Sequence, residues 1–484
     1  MIRRTINLVL LFCCLLAPTS LRADSSGAGG IRRLLNKPAN KKAEFSIHFR
    51  DTASGKTIFD FNADRSLKPA SNMKLIISAA ALDQLGPDFT YKTHFALWRN
   101  NLVVLASGDP LIGDPALAKR QGDDIFAIFQ QILQQLRKRK INNISGDLLI
   151  DDTIFDDVRY HPAWPDSQVN NWYRAQVSAL NFNDNCVDIN FTPATNPGQP
   201  VTFSLNPNTS YVKITNKCIT VNSGPNKLGG LRPSPLGANN ITLIGKCRAP
   251  HTIYIPVDRP SAYFGFVLAE YLLRHGIAVN GKLIIKKIRS DRGDLPQPDD
   301  LLLTHCTPLR DVLRECNQRS LNLVAECLLK TVGAYSSCSS PAILAQQGSW
   351  QTGRQTVRNF LNKLKIDPDD YKIDDGSGLS HNNRLSARCI TSVLTHIARK
   401  KNFKLYRESL ATPSVGTLAK RRRFREPAYE DRVFVKTGHI TGAQALSGYC
   451  RTSSGRWLAF AIITNNHKHN PVGTIDAILK EMLK

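Results

Sequence analysis

Apolar and polar residues alternate over 44–50, placing Phe45, Ile47 and Phe49 on one face, and alternate again over 57–61. Turn-forming residues at 51–56 separate the two runs, which predicts a β-hairpin. Pro69 then presets φ ahead of a helix. Met73, Ile76, Ile77, Ala80 and Ala81 make the apolar stripe of a helix over 71–85, which Gly86-Pro87 ends. From 91 to 257 the texture changes. Short alternating runs at 102–105, 148–150, 187–191, 201–205, 212–214 and 241–244 are punctuated by Asn, Pro and Gly, with one helix at 123–138. Helical periodicity returns at 262–275, 308–317, 321–332 and 391–399. Strand signals follow at 433–436 and 457–464, the second nearly all apolar and suited to a central strand. A helix at 475–483 closes the chain. The pattern predicts an α/β (α+β) frame, residues 24–90 and 258–484, split by one or two inserted β-rich subdomains at 91–257.

The chain has 484 residues, 42% hydrophobic and 21% charged, enough for a sizeable core. Residues 1–23 read as a signal peptide: Arg3 and Arg4 precede an apolar run from Ile6 to Leu16, Pro18 breaks it, and Ala23 offers a small residue for cleavage. The run is too short for a transmembrane helix. Residues 24–30 are Ser/Gly-rich and read as a flexible leader, with a short helix at 31–35. Export to the periplasm or cell envelope of a bacterium is therefore expected.

The formal charge of +25 favours anionic partners. Nucleic acid is not one of them, because the basic clusters at 137–140 and 420–425 lack interleaved aromatics and any groove-reading motif. An anionic envelope surface suits an exported chain better. Of 11 cysteines, two lie in the leading segment, which leaves an odd number and at least one free thiol. Cys186, Cys218 and Cys247 share one β-rich stretch, and their pairing is open. No C-x-x-C spacing suggests zinc, so no metal site is expected.

Three short motifs carry the chemistry. In Ser71-Asn72-Met73-Lys74, residues i and i+3 share a helix face, so the lysine reaches the serine hydroxyl and can act as its base. The spacing alone is weak. It recurs at Ser210-Tyr211-Val212-Lys213, where strand-like alternation would set the two side chains on opposite faces. Ser-x-Asn occurs at Ser204/Asn206, Ser320/Asn322 and Ser380/Asn382; only Ser320-Leu321-Asn322 opens an amphipathic helix after the insertion. Lys436-Thr437-Gly438 occurs once, on a strand where Gly438 permits close backbone approach. Ser-x-x-Lys, Ser-x-Asn and Lys-Thr-Gly in that order mark serine enzymes that acylate on penicillin and D-alanyl peptides.

The resemblance extends beyond the triplet. Pro69-Ala70-Ser71-Asn72-Met73-Lys74-Leu75 resembles the nucleophile segment of the D-alanyl-D-alanine carboxypeptidases/endopeptidases of the low-molecular-mass class C penicillin-binding protein family. Gly108-Asp109-Pro110, Val177-Ser178-Ala179-Leu180-Asn181, Asp375-Gly376-Ser377-Gly378-Leu379-Ser380, Gly416-Thr417-Leu418 and Ala445-Leu446-Ser447-Gly448-Tyr449 are similar to further segments of that family. The long gap between Ser71 and Ser320 is the family's insertion. The resemblance implies a penicillin-recognising serine transpeptidase/β-lactamase-like domain, with a central antiparallel sheet and flanking helices. It implies no cofactor.

By the same resemblance Ser71 is the nucleophile and Lys74 its base. Ser320 relays a proton to the leaving amine, Lys436 supports it, and Asn322 orients the peptide. Lys436 and Thr437 bind the substrate carboxylate, Gly438 and His439 complete the binding strand, and the backbone N–H groups of Ser71 and His439 form the oxyanion hole. The implied partners are peptidoglycan stem peptides or cross-bridges and β-lactam antibiotics. His439 departs from the pattern, since the family has Thr or Ser there. Two alternatives share the frame: a β-lactamase or esterase, and a non-catalytic peptidoglycan-binding protein.

Overall fold

The computed structural model describes residues 25–233, 237–290, 300–336, 343–344 and 346–484. The expected signal segment 1–23 lies outside them. The hairpin forms as predicted, Glu44–Asp51 pairing with Thr57–Phe61. Its first strand then pairs along its full length with Trp457–Asn465, so the two ends of the chain build one sheet. Ala443–Arg451 and Val433–Ile440 complete a five-stranded antiparallel sheet in which Trp457–Asn465 is central.

Alternate residues of this sheet face two different cores. Phe45, Ile47, Phe49, Leu458, Phe460 and Ile462 pack on one side with Ile475, Ile478 and Leu479 of the C-terminal helix Val472–Leu483. Ala459, Ala461, Ile463, Ala445 and Tyr449 face the other side, against the helices Met73–Leu85 and Ala387–Ala398. Two covered faces explain why 457–464 is apolar throughout.

The flexible leader is a correction: Ser25–Leu35 is an α-helix. It lies on the C-terminal helix, with Ile31 and Leu35 buried in the same core. A Cβ on Gly27 would stand 3.0 Å from the Glu481 carbonyl oxygen. The glycines that suggested a mobile leader permit close contact between helices instead.

The second five-stranded sheet is mixed, in the order Leu283–Ile285, Leu148–Asp151, Asn101–Leu105, Thr90–Trp98, Asp300–Pro308. It draws strands from both sides of position 257. Two three-stranded sheets, one of Lys227–Leu231, Asn240–Cys247 and Lys213–Thr220, the other of His251–Pro256, Cys186–Thr192 and Thr202–Asn206, lie within residues 186–256. Among the described residues every cysteine is a free thiol, Cys186, Cys218 and Cys247 included. No helix of the described residues is long and apolar enough to cross a membrane.

Two sequence motifs of the 91–257 segment bind each other. Gly108 N–H donates to the Ala179 carbonyl at 2.9 Å. Asn181 Nδ2 donates to the carbonyls of Asp109 and Ser178, both at 2.9 Å. The Thr307 hydroxyl closes on the buried Asp109 carboxylate at 2.5 Å. This knot fastens the segment to the helix Asn322–Ala334, where Cys327 Sγ meets Ser178 and Asn181.

Candidate active site

Ser71 sits in a 3₁₀ turn, Ala70–Asn72, that leads into the helix Met73–Leu85. The turn is held from behind. The buried Asn72 side chain donates to the Lys436 carbonyl at 3.0 Å and accepts from Ser447 Oγ at 2.6 Å. A Cβ on Gly438 would lie 2.8 Å from the Pro69 carbonyl oxygen. The Lys-Thr-Gly strand therefore lies tight against the nucleophile turn, which is the close approach that favours glycine.

Lys74 is fully buried. Its Nζ lies 2.9 Å from Ser71 Oγ, 2.8 Å from Asn322 Oδ1 and 2.8 Å from the Ser377 carbonyl. Burial lowers its pKa to about 8, against the opposing pull of Cys316, Glu326 and Asp375. A neutral amine has two N–H groups and one lone pair. Asn322 and Ser377 accept the two hydrogens, which aims the lone pair at the Ser71 hydroxyl.

Ser320 follows a π-helical turn, Glu315–Arg319, and adopts a left-handed φ of 64°. Its neighbour Arg319 is anchored by buried carboxylates. The guanidinium contacts Asp114 at 2.7 Å and Glu315 at 2.8 Å, and both carboxylates are buried. Arg120 pairs with the other oxygen of Glu315. Ser320 Oγ accepts from Lys436 Nζ at 2.7 Å. Burial, followed by the charge of Lys74, holds Lys436 well below the ordinary lysine range. Asn322 spends its oxygen on Lys74 and its amide nitrogen on the Tyr173 carbonyl at 2.9 Å. Thr437 Oγ1 meets Thr417 Oγ1 at 3.0 Å. His439 is exposed, and its Nδ1 is 2.7 Å from Gln444 Nε2. With the glutamine donating, the imidazole carries its hydrogen on Nε2, free to donate outward.

Hydrogen bonds thus join Ser71, Lys74 and Asn322, and Ser320 and Lys436, while Gly438 packs on the nucleophile turn with Thr437 and His439 on either side of it in the strand. The competing motifs are not among them. Ser210 is not on a strand: it lies in a turn before Lys213–Thr220 and donates to Glu270 at 2.7 Å. Ser204 lies on the strand Thr202–Asn206, and Ser380 donates to Asp374 in a loop.

Glu326, Trp350 and Trp164, which carried no sequence signal, support the segment 375–380, which the resemblance had marked without giving it a role. The Ser377 carbonyl is held in place by Glu326, whose carboxylate accepts from the N–H groups of Ser377 at 2.7 Å and Gly376 at 2.8 Å, and from Trp350 Nε1 at 2.8 Å. Burial, then Asp375, raises Glu326 to about 7. Asp375 in turn accepts from Trp164 Nε1 and from the N–H groups of Gly378 and Ser380. Glu326→Ala would strand three buried donors at about 1–3 kcal/mol each. We expect a loss of about 3 kcal/mol or more, read as a lower urea midpoint at unchanged slope; an unshifted midpoint would contradict this role.

Gly378 has φ +82°, and a Cβ there would lie 1.8 Å from the Ala70 carbonyl oxygen. Gly378→Ala must therefore displace the Ala70–Ser71 peptide. Misplacing a nucleophile by about 1 Å costs on the order of 10²-fold in rate. We expect that loss in the acylation rate with penicillin; a rate within twofold of wild type would contradict the tight packing.

Known proteins resemble this chain in sequence and in fold. A family model described as D-Ala-D-Ala carboxypeptidase 3 (S13) matches residues 28–483. A D-alanyl-D-alanine carboxypeptidase from an Actinomadura species is 30% identical over 98% of this chain and 88% of its own length. The D-alanyl-D-alanine carboxypeptidase DacB of Haemophilus influenzae is 26% identical over 85% of this chain and 83% of its own. In three dimensions the chain resembles crystalline penicillin binding protein 4 (dacB) from Haemophilus influenzae, with a TM-score of 0.76 at 23% identity, covering 94% of this chain and 99% of that one. A structure of that protein complexed with a β-lactam gives 0.69. At that identity the structural likeness speaks for the fold.

Proposed function

The chain belongs to the D-Ala-D-Ala carboxypeptidase 3 (S13) family, and from that premise we propose that Ser71 attacks the carbonyl carbon of a D-alanyl peptide bond while Lys74 takes its proton. The observation that carries this reading is the set of contacts made by Lys74 Nζ: Ser71 Oγ, Asn322 Oδ1 and the Ser377 carbonyl. A base with both N–H groups engaged and its lone pair on the nucleophile is set for proton abstraction.

The remaining residues follow the charge. Addition to the carbonyl puts negative charge on oxygen, where the backbone N–H groups of Ser71 and His439 serve as donors. The C–N bond then breaks. The amine leaves with a proton passed through the Ser320 hydroxyl, which Lys436 polarises from 2.7 Å. The acyl group remains as an ester on Ser71 Oγ. Water adds to that ester, the C–O bond breaks, and Ser71 regains its hydrogen. Lys436 and Thr437 receive the substrate carboxylate beside Gly438, and Asn322 faces the peptide. At His439 an outward Nε2–H stands in for a hydroxyl donor.

The substrate is the D-alanyl stem peptide of peptidoglycan, and the site of action is the bacterial cell envelope, where that polymer lies. Export through residues 1–23 is part of this reading. β-Lactams acylate Ser71 as substrate mimics, and the complete polar set argues against a binding-only protein. The test is release of D-alanine from a pentapeptide ending in D-Ala-D-Ala, with and without benzylpenicillin. Release that penicillin abolishes supports the assignment; intact protein that releases none overturns it.

A further inference from the structure

From Ile189 to Val257 the chain holds six Lys and Arg residues and not one Asp or Glu. Only Arg232 of the six is paired with a carboxylate among the described residues, through the buried Asp258. Four of the others, Lys213, Lys217, Lys227 and Lys246, come together on the three-stranded sheet of Lys227–Leu231, Asn240–Cys247 and Lys213–Thr220. Alternation along its strands sends Cys218, Ile241, Leu243 and Cys247 into the core. The same alternation sends the four lysines to the opposite face, where all are exposed.

The register makes this face mixed rather than merely basic. Lys227 lies directly opposite Lys246, and Lys246 opposite Ile219. In the next row Ile244 stands between Gly229 and Lys217. Leu231 follows in the third row, opposite Thr242. Ile219, Leu231 and Ile244 are 39%, 47% and 37% exposed. A Cβ on Gly229 would meet only Ile244 Cγ1, at 3.9 Å, so among the described residues nothing else lies over the centre of the face. Like charges directly opposite each other destabilise a sheet, and grouped apolar side chains in water mark an interaction surface. Both costs are relieved by one kind of partner, an anionic layer with an apolar layer beneath it. The long lysine stems let each ammonium meet phosphate while the shorter isoleucines enter the headgroup boundary. A soluble anionic polymer would answer the lysines and leave the isoleucines in water.

We propose that this sheet face docks the chain peripherally on an anionic phospholipid bilayer. The lysines supply attraction that salt screens, and Ile219, Leu231 and Ile244 supply apolar area that salt does not weaken. None of Ser71, Lys74, Ser320, Asn322 and Lys436 lies on these three strands. Docking and peptide chemistry are therefore separable, and the surface stands whether or not the acyl-enzyme reading does.

The test is sedimentation of residues 24–484, the chain without its signal segment, with vesicles. One set is phosphatidylcholine alone; the other contains about 30% phosphatidylglycerol, which supplies the negative surface potential. We expect wild type to sediment with the second set only, and to need more lipid as salt rises. The lipid concentration for half-binding should rise at least ~10-fold in Lys217→Glu/Lys246→Glu, and about threefold in Ile244→Ser. All three side chains are exposed, and an unchanged urea midpoint shows that a variant is folded. If the midpoint of the double variant falls, Lys217→Gln/Lys246→Gln carries the same test, with an expected rise of about threefold or more. Wild type that does not distinguish the two vesicle sets overturns the proposal, and so do variants that bind like wild type. Binding to dextran sulfate as tight as to vesicles, and indifferent to Ile244→Ser, would assign the face to a soluble polyanion and overturn the lipid surface.

Discussion

Ser71→Ala is expected to lower kcat for D-alanine release by about 10⁴-fold or more and to abolish covalent labelling by penicillin. Removing the nucleophile of a serine hydrolase eliminates the covalent path and leaves only what binding and oxyanion donors supply. The fold should survive. Ser71 is half-buried, and its hydroxyl bonds to Lys74 Nζ, while Lys74 keeps Asn322 and Ser377. Unfolding in urea with an unchanged midpoint would separate loss of chemistry from loss of structure. Residual labelling above about 1% of wild type would place the acylated residue elsewhere.

The second large effect belongs to Lys74. Lys74→Arg keeps a cation but puts in its place a group that stays protonated. General base catalysis contributes about 10²–10⁴-fold, and we expect acylation to slow by about 10³-fold. Since the site is fully buried and arginine is bulkier, Lys74→Met is the companion variant, with the same expected loss. In the wild type the sign of the pH dependence follows from burial. Burial disfavours the ammonium and lowers the pKa to about 8, so about one molecule in ten carries the free amine at pH 7. The acylation rate should rise with pH through about 8 and then level. A profile flat from pH 6 to 9 would contradict Lys74 as the base.

Much of this site was legible in the chain because it depends on side-chain identity at short range. Ser71 and Lys74 are one helical turn apart, Ser320 and Asn322 open a helix, and Lys436 begins a unique tripeptide. What stayed hidden is long-range or backbone chemistry. Tyr173 and Ser377 contribute carbonyl oxygens, which every residue has. Glu326 lies in the apolar run 323–329 and shows its role only once the Gly376-Ser377 backbone folds against it.

The same limit applies to the fold. The central strand was evident from its unbroken apolar character. The second sheet was not, because Asp300–Pro308 finds its partner some 200 residues back, in Thr90–Trp98. The helix Ser25–Leu35 was obscured by glycines whose purpose is a contact with Glu481 at the far end of the chain. The turn that presents Ser320 carries Arg319, whose carboxylate partner Asp114 is remote in sequence.

The most direct measurement is to incubate the protein with benzylpenicillin, digest it, and locate the adduct by tandem mass spectrometry. We expect a single added penicilloyl group, on the peptide that contains Ser71 and on Ser71 itself. An adduct on any other residue, or a folded protein that takes up none, would contradict Ser71 as the nucleophile.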